Sequence, residues 1–412
     1  MKNKFLFLLL AIFTITTQIN SARAQSYYGS GEFGFRSYTS DAHAIGLGET
    51  FIAVADGFQM NMINPAGLVF TPVTRLSGDF VHEATWSESQ DGTGFGKYTN
   101  FNGLSLAVPI KRGKLVTAFS LQPVSQFDYR YEIDEKIDEF GFTKKTIGEG
   151  GLNKISAGIG FAPFKRISIG AALNYYFGKF EKTWEVDFVS DMFWDTSDKL
   201  TRKMWGYNFT TGVIFNPLPS LFLGGFYTKD FKLNSQDHVN NGLNFGSTGA
   251  TIQGYDLDRL DIFMPELWGL GFSYIFKTKY RLSSDYYTEP WSKIKVNNNE
   301  LQGYNDGSHF GVGFEVLPST NSLANYFEKV SYRMGYFNKV LNYLDTDGNT
   351  IPENGFTLGF GFPYYGTLGR LDVALKYSIR GDLTKNPVKE NVFQLFISVT
   401  GGERWFYRGE QR

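Results

Sequence analysis

Short segments of the chain alternate apolar residues with small or polar residues at a period of two. In the segment from Arg370 to Arg380, one face carries Leu371, Val373, Leu375, Tyr377 and Ile379, and the other carries Asp372, Ala374, Lys376, Ser378 and Arg380. Because successive strand side chains point to opposite faces, one face suits lipid and the other suits an aqueous interior. The segment is also about as long as a tilted strand that crosses a bilayer. The pattern therefore predicts a transmembrane β-strand.

Fourteen such segments follow one another, which predicts an all-β fold, a 14-stranded antiparallel transmembrane β-barrel. They are residues 73–82, 99–110, 114–124, 152–162, 166–180, 204–215, 220–229, 265–276, 280–289, 308–317, 328–339, 353–362, 369–380 and 390–400. An even number of strands leaves both termini on one side of a closed barrel. Short turns face the periplasm in such barrels, so we expect periplasmic termini and external loops at 125–151, 181–203 and 230–264.

The N-terminus predicts export to the bacterial outer membrane. Lys2 and Lys4 precede an apolar run, and Ala22-Arg23-Ala24 forms a small-x-small cleavage site. This pattern is typical of a signal peptide over residues 1–24, because the apolar run is too short for a membrane-spanning helix. No later run is long and apolar enough for a spanning helix either. We therefore divide the remainder into an N-terminal segment, 25–72, and a barrel, 73–407.

The composition of the chain excludes several classes of function. The chain has no cysteine, which excludes disulfides and thiol chemistry. A net charge of −1 gives no indication of nucleic-acid binding. The contents of 24 Tyr, 40 Phe and 46 Gly are high, as a membrane barrel requires. The sequence predicts no cofactor.

Residues 25–72 do not alternate, yet they are apolar and rich in small residues. A disordered periplasmic tail would carry more charge and fewer large apolar residues. A barrel of fourteen strands is also too wide to be filled by its own side chains. We therefore predict a plug inside the barrel. Asp56 fits the N-cap of a short helix that ends before Pro65.

The stretch from Asp41 to Leu68 resembles the N-terminal signature of the FadL-type outer-membrane transporter family. The similarity lies in a Gly-containing run from Ala44 to Gly48, then Ala53 to Asp56, and then Asn64 to Gly67. The resemblance implies a fourteen-stranded barrel closed by an N-terminal hatch. It also implies passive uptake of long-chain fatty acids or aromatic hydrocarbons, and hence lipid-like small molecules and outer-membrane lipid as partners. The implied plug motif comprises Gly46, Gly48, Asp56, Asn64, Pro65, Ala66 and Gly67.

Two further features of the barrel are candidates for function. Asp372, Lys376 and Arg380 share the inward face of one strand, where we expect polar partners from the plug; water or neighbouring strands are the alternative. In the resembling family the solute leaves through a gap at a kinked strand. Pro123 is the candidate for such a kink, since proline interrupts a strand ladder, although it could equally end the strand.

Two other classes of function compete with transport. An enzyme barrel needs histidine beside a carboxylate or serine, and the chain has four histidines: His43, His82, His238 and His309. They show neither a convincing catalytic arrangement nor metal-ligand spacing, so we predict no enzyme, no catalytic residue and no metal site. The other class is a scaffold or shuttle protein of a secretion system, with a protein partner at the loops 125–151 and 230–264.

Overall fold

The computed structural model describes residues 26–405 apart from positions 32, 40, 91, 138, 139, 191, 246, 247 and 365–367. The predicted signal peptide, residues 1–24, lies outside the described residues. The elements named below are numbered along the barrel wall.

Fourteen antiparallel strands form the closed wall, as the alternation predicts. They are β1 (Thr74–Ser89), β2 (Thr93–Lys111), β3 (Leu115–Gln126), β4 (Phe140–Phe164), β5 (Ile167–Phe188), β6 (Asp195–Leu218), β7 (Leu221–Thr228), β8 (Leu267–Phe276), β9 (Tyr280–Glu289), β10 (Gly307–Val316), β11 (Ser331–Leu344), β12 (Thr350–Tyr364), β13 (Gly369–Arg380) and β14 (Val388–Glu403). The ladder from Thr74–Glu403 to Ser89–Val388 joins β14 to β1 and closes the barrel. The predicted fold class is confirmed.

The two ends of the barrel differ in their connections. At one end, called the turn end here, β2–β3, β4–β5, β6–β7 and β8–β9 are joined by two or three residues each. The opposite end, called the loop end, carries most of the longer connections. The terminal strands β1 and β14 begin and finish at the turn end.

The predicted long loops are wrong in their internal structure, because they are largely strands. β4, β5 and β6 continue well past the predicted boundaries at the loop end. Additional strands at this end are Tyr129–Ile137, Phe231–Phe245, Thr248–Asp256, Leu260–Met264, Lys295–Val296 and Asn299–Glu300. Beyond the lipid belt the outer face of a strand meets water, and the buried face includes polar side chains such as Ser235 and Asp237, so the apolar alternation disappears although backbone pairing continues.

The outer face of the wall is apolar and the inner face is packed. On β4, Ile155 and Ile159 are 45% and 43% exposed, whereas Ser156 between them is fully buried. On β12, Phe356 and Leu358 are exposed and Thr357 is buried. Apolar side chains on the outside of a barrel face lipid, and the inner face must then pack against something else.

Residues 26–73, called the inner segment here, pack against the inner face of the wall. The segment contains a two-residue strand, Phe35–Arg36, one α-helix, α1 (Ala42–Gly46), and two 3-10 helices, Tyr27–Ser30 and Pro65–Phe70. The described residues outside this segment add two 3-10 helices, Trp291–Lys293 and Tyr326–Lys329. None of the helices in the described part of the chain is long and apolar enough to cross a membrane.

The helix predicted to begin at Asp56 and to end before Pro65 is absent from the described inner segment. Asp56 instead accepts a hydrogen bond from the backbone of Phe58 in a local turn, and Pro65 is the first residue of a 3-10 helix. Proline suits a first helical position, because its missing N–H would have no partner there and its φ is already helical. The α-helix lies earlier in the chain, where Asp41 caps it.

Candidate functional site

The first part of the predicted plug motif lies against β12 and β13. The Asp41 carboxylate accepts from the His43 amide at 2.9 Å and so caps α1. At the end of this helix a Cβ on Gly46 would lie 2.9 Å from the Cα of Gly359 on β12. The hydroxyl of Thr357 then bridges the segment to the wall. Small residues here allow backbone to lie directly on backbone.

Gly48 is held in a conformation that favours glycine. Its φ is +69°, and a Cβ at this position would lie 2.5 Å from the carbonyl oxygen of Val312 and 2.7 Å from that of Tyr336. Its N–H donates to the Thr357 hydroxyl at 3.0 Å. The AIG-x-G spacing therefore matches a left-handed residue pressed on the wall.

Side chains also hold the middle and the end of the inner segment. The buried Asp285 carboxylate on β9 accepts from the backbone amides of Phe51 and Ile52 at 2.5 and 2.7 Å. The Asn64 side-chain amide donates to Ile52 O at 2.7 Å, and its oxygen accepts from Ala66 N at 3.3 Å. Asn64 thus satisfies buried backbone groups of the segment.

The NPAG part of the motif covers wall glycines. A Cβ on Gly170 of β5 would lie 2.3 Å from the Ala66 nitrogen, and one on Gly160 of β4 would lie 2.8 Å from the Pro65 oxygen. Gly67 closes the turn by donating its N–H to Asn64 O at 3.0 Å. The segment therefore lies directly on the backbones of β4 and β5.

A chain of buried ion pairs connects the inner segment to four wall strands near the turn end. Asp56 binds Arg370 at 2.9 Å, and Arg370 binds Asp372 at 2.6 Å. Asp372 binds Arg333 on β11 at 2.7 Å, and Arg333 binds Glu315 on β10 at 2.8 Å. Glu315 also binds Arg281 on β9. Arg281 donates a hydrogen bond to the carbonyl oxygen of Ala55 in the inner segment, so both ends of this series of ion pairs contact the segment.

A second chain of ion pairs lies between the middle and the loop end. Glu49 of the inner segment binds Lys376 at 2.5 Å, and Lys376 lies 3.8 Å from Glu353. Arg380 binds Glu353 at 2.9 Å and Glu390 at 2.8 Å. Glu390 in turn accepts from the backbone amide of Tyr27 at 2.7 Å. Lys376 and Arg380 thus both contact the segment directly, since Arg380 donates to the Ser26 hydroxyl at 3.4 Å and lies 4.0 Å from the centre of the Phe35 ring.

The ionisation of the two acidic residues in the segment follows from these partners. Burial opposes ionisation of Asp56, but Arg370 and His43 hold the pKa of its carboxyl well below 3.8. Burial opposes ionisation of Glu49 as well, but Lys376 and His309 hold its pKa well below 4.5. Both carboxylates are therefore charged at neutral pH, and the ion pairs are complete.

The fold brings together three side chains that could ligate a metal, which the sequence did not indicate. His43 Nε2 lies 3.1 Å from Asp56 and 3.2 Å from Glu315. Both carboxylates already bind arginines: Asp56 binds Arg370, and Glu315 binds Arg281 and Arg333. Guanidinium charges raise the electrostatic cost of placing a cation beside them. The cluster is thus better suited to an ion-pair network than to a metal.

The wall ladder is interrupted beside Pro123. Among the described residues, the pairing of β2 with β3 runs from Lys111–Leu115 to Leu104–Leu121 and goes no further. From there towards the loop end, β2 pairs with β1 alone. The register of β3 against β4 also shifts between Pro123 and Ser125. The parts of β2 and β3 nearer the loop end therefore border a gap in the wall.

The inner segment lies against one side of this gap. Phe35 and Arg36 pair with Gln126 and Ser125 on the edge of β3 that β2 leaves unpaired. A cavity of about 100 Å³ lies at the gap. Its lining includes Tyr38, Tyr98, Asn102, Pro123 and Ser125, and it reaches Glu49, Lys376 and Arg380. The gap thus connects to the space between the segment and the wall.

An apolar cluster fills the barrel near the loop end. It joins buried side chains from the inner segment, several wall strands and the additional strands. Phe33 of the segment packs in this cluster, with its ring centroid 5.5 Å from that of Trp291. The cluster members are Phe33, Val124, Phe127, Tyr129, Leu152, Tyr176, Phe180, Met204, Leu233, Ile262, Met264, Trp291 and Ile294.

The four histidines lie apart from one another. His43 and His309 are buried in the ion-pair networks, with His309 3.1 Å from Glu49. His82 bonds Thr99 on the exposed surface, and His238 bonds Asp256 among the additional strands.

Several residues of the site were missed from the sequence. Glu49, Arg281, Asp285, Glu315 and Arg333 are all buried and bind the segment or its partners. A signal was present, because Arg281 and Asp285 alternate with the outward Leu282 and Tyr286 on β9. Inward charges in a membrane strand need partners, so each such position predicts a contact inside the barrel. The partner itself is not visible in the sequence.

The fold of this chain is similar to that of several solved barrels. The toluene transporter TodX of Pseudomonas putida superposes with a TM-score of 0.62 at 13% identity, covering 89% of this chain and 98% of TodX. A FadL homologue of Pseudomonas aeruginosa gives 0.59 at 12% identity, covering 90% and 99%. The toluene transporter TbuX of Ralstonia pickettii gives 0.56 at 14% identity, covering 87% and 97%.

The family model named BamG matches residues 1–410, so the chain belongs to the BamG family. This family name differs from the FadL-type name that the motif suggested, whereas the fold of the FadL-type neighbours is shared. No curated protein sequence matches the chain.

Proposed function

We propose that this protein is an outer-membrane channel through which hydrophobic solutes pass passively. The observation that carries the proposal is the gap in the wall beside Pro123, where the β2–β3 ladder stops while both strands continue. An apolar solute does not cross a polar pore easily, but a gap in the wall connects the interior with the hydrocarbon of the membrane. The names of the neighbours TodX and TbuX, toluene transporters, support a solute of this kind.

The inner segment is the proposed hatch of this channel. It contacts wall strands around the barrel through Gly46, Gly48 and the Asn64–Ala66 turn, and its ion pairs and hydrogen bonds connect it to strands from β9 to β14. In this proposal the apolar cluster around Phe33 collects the solute at the loop end, and displacement of the segment opens the path to the gap. The turn end then faces the periplasm, as short turns do in outer-membrane barrels.

The gap can be tested by bridging it. The protein has no cysteine, so a pair at Tyr98 and Ser125 can be cross-linked with a bifunctional maleimide. Both residues line the cavity at the gap. We expect the cross-link to reduce uptake of radiolabelled toluene or oleate by cells to the level of cells without the protein.

The matched control bridges the same two strands below the gap. Leu106 and Phe119 are paired in the intact ladder, so a cross-link between cysteines there spans strands that are already joined. Uptake should be unchanged in this control. If the intact protein does not raise uptake of either probe above cells without it, the transport proposal is wrong.

A second candidate function is a scaffold for a protein partner. Three cavities between the inner segment and the wall measure about 100, 20 and 30 Å³, below the roughly 300–1,000 Å³ of typical ligand sites. The additional strands also extend the sheet at the loop end. If neither probe is taken up, cross-linking in cells from a photoreactive residue at Ile133, which is 56% exposed, would test this candidate.

A further inference from the structure

One connection at the turn end differs from the tight turns beside it. Residues 317–330, called the turn-end loop here, join β10 to β11 through fourteen residues. The loop is ordered by its own hydrogen bonds: Ser319 N donates to Glu328 O at 2.7 Å, and Asn325 caps the 3-10 helix Tyr326–Lys329. It is therefore a compact unit with a defined surface.

The turn-end loop exposes large apolar side chains. Leu323 is 92% exposed, Phe327 is 72% exposed, and Tyr326 is 52% exposed. Large apolar side chains that a folded loop leaves exposed normally contact another surface, such as a protein or a membrane.

Hydrogen bonds fix the loop at the outer rim of the barrel. Tyr332 lies on the outward, lipid-facing side of β11, and its hydroxyl donates to the carbonyl of Phe327 at 3.1 Å. The hydroxyl of Tyr326 donates to the carbonyl of Pro363 near the end of β12 at 3.4 Å. The apolar side chains of the loop are thus next to the membrane-facing wall and not below the centre of the barrel.

Aromatic residues of the wall continue from the loop around the same rim. Tyr332 packs edge-on against Phe360 with ring centroids 6.1 Å apart, and Phe360 stacks on Phe362 at 6.2 Å. Farther round, Phe276 stacks on Tyr280 at 5.2 Å. Aromatic girdles of this kind mark the membrane–water interface of barrels.

We propose that the turn-end loop is a membrane-interface anchor whose partner is the phospholipid leaflet at the turn end. Leu323 and Phe327 insert beside the headgroups, continuous with the aromatic girdle of Tyr332 and Phe360. Lys329 donates to the carbonyl of Ser322 within the loop, so its charge stays at the polar side of this surface. The anchor fixes the depth and tilt of β10 and β11, whether or not the barrel transports a solute.

The experiment uses the absence of native cysteine to place one bimane fluorophore at a time. Leu323→Cys and Phe327→Cys are labelled in the full-length protein and reconstituted into phosphatidylcholine vesicles with or without brominated acyl chains. Bromine quenches bimane on contact. We expect both labels to lose a share of their fluorescence close to that of a label at Phe360, a lipid-facing position of β12.

Lys385→Cys, in the exposed turn between β13 and β14, provides the aqueous control and should not be quenched. Folding of each variant is checked by heat-dependent migration on a gel. Quenching at both loop positions supports the anchor. A label at position 323 or 327 that behaves like the one at Lys385 overturns it and leaves the loop surface open to a protein.

Discussion

Replacing Gly48 by alanine tests whether the inner segment closes the barrel. Gly48 has a φ of +69°, which costs an L-residue about 1–2 kcal/mol. The added Cβ would also lie 2.5 Å from the Val312 oxygen and 2.7 Å from the Tyr336 oxygen. Both oxygens belong to the paired wall backbone, so the segment must move instead of the wall.

The matched control is Gly113→Ala. Gly113 has a φ of +65° in the β2–β3 turn, but a Cβ there meets nothing within 4 Å. The two variants share the backbone strain and differ in the clash. Movement of the segment at Gly48 also breaks its hydrogen bond to Thr357, a loss of roughly 0.5–1.5 kcal/mol. The strain at Gly113 lies in a wall turn and is the same in the open and closed states, whereas the strain at Gly48 is relieved only when the segment leaves the wall. We therefore expect Gly48→Ala to weaken the closed state relative to Gly113→Ala by at least about 1.5 kcal/mol, a shift of roughly 10-fold or more in the closed-to-open ratio.

Ion conductance in planar bilayers measures this shift. Gly48→Ala should open more often than the parent protein, while Gly113→Ala should match the parent. Heat-dependent gel migration should remain that of a folded barrel for both, since the wall ladder closes without the segment. Equal conductance of the two variants would refute the view that the segment blocks the pore.

Three further predictions concern the partners of the inner segment. Lys376→Met leaves the buried Glu49 carboxylate with only His309 beside it and should destabilise the closed state by about 3–5 kcal/mol in a conductance assay. Adding Glu49→Gln removes the buried charge and should restore much of the lost stability of the closed state. Asp285→Ala should raise conductance by leaving two buried N–H groups unsatisfied, at a cost of about 2–4 kcal/mol, whereas Asp285→Asn, which keeps an acceptor, should cost less. Because the pKa values of Asp56 and Glu49 are lowered in the folded state, their stabilisation is complete above about pH 5 and is lost as the pH falls through the lowered values. Protonation of these two carboxylates should therefore raise conductance as the pH falls below about pH 4.

The wall could be predicted from the sequence because its cause is local. Each strand must present apolar side chains to lipid and polar or small ones to the interior, so the period-two pattern of β13 is visible within the strand itself. The additional strands at the loop end could not be predicted in this way, because their outer face meets water instead of lipid and their buried face includes polar side chains such as Ser235 and Asp237. The helix predicted to begin at Asp56 is wrong as well, because the Asp56 carboxylate forms an ion pair with Arg370, a residue far away in the sequence.

The sequence by itself determined the number of wall strands, the face of Asp372, Lys376 and Arg380, and a compact N-terminal segment with glycines at Gly46 and Gly48. The tertiary structure alone decided which partners these residues bind, how Glu49 reaches Lys376, and where the β2–β3 ladder stops. The physical reason is that a strand's alternation depends on its immediate surroundings. An ion pair across the barrel depends on closure of the wall, which places residues more than three hundred positions apart within hydrogen-bond distance.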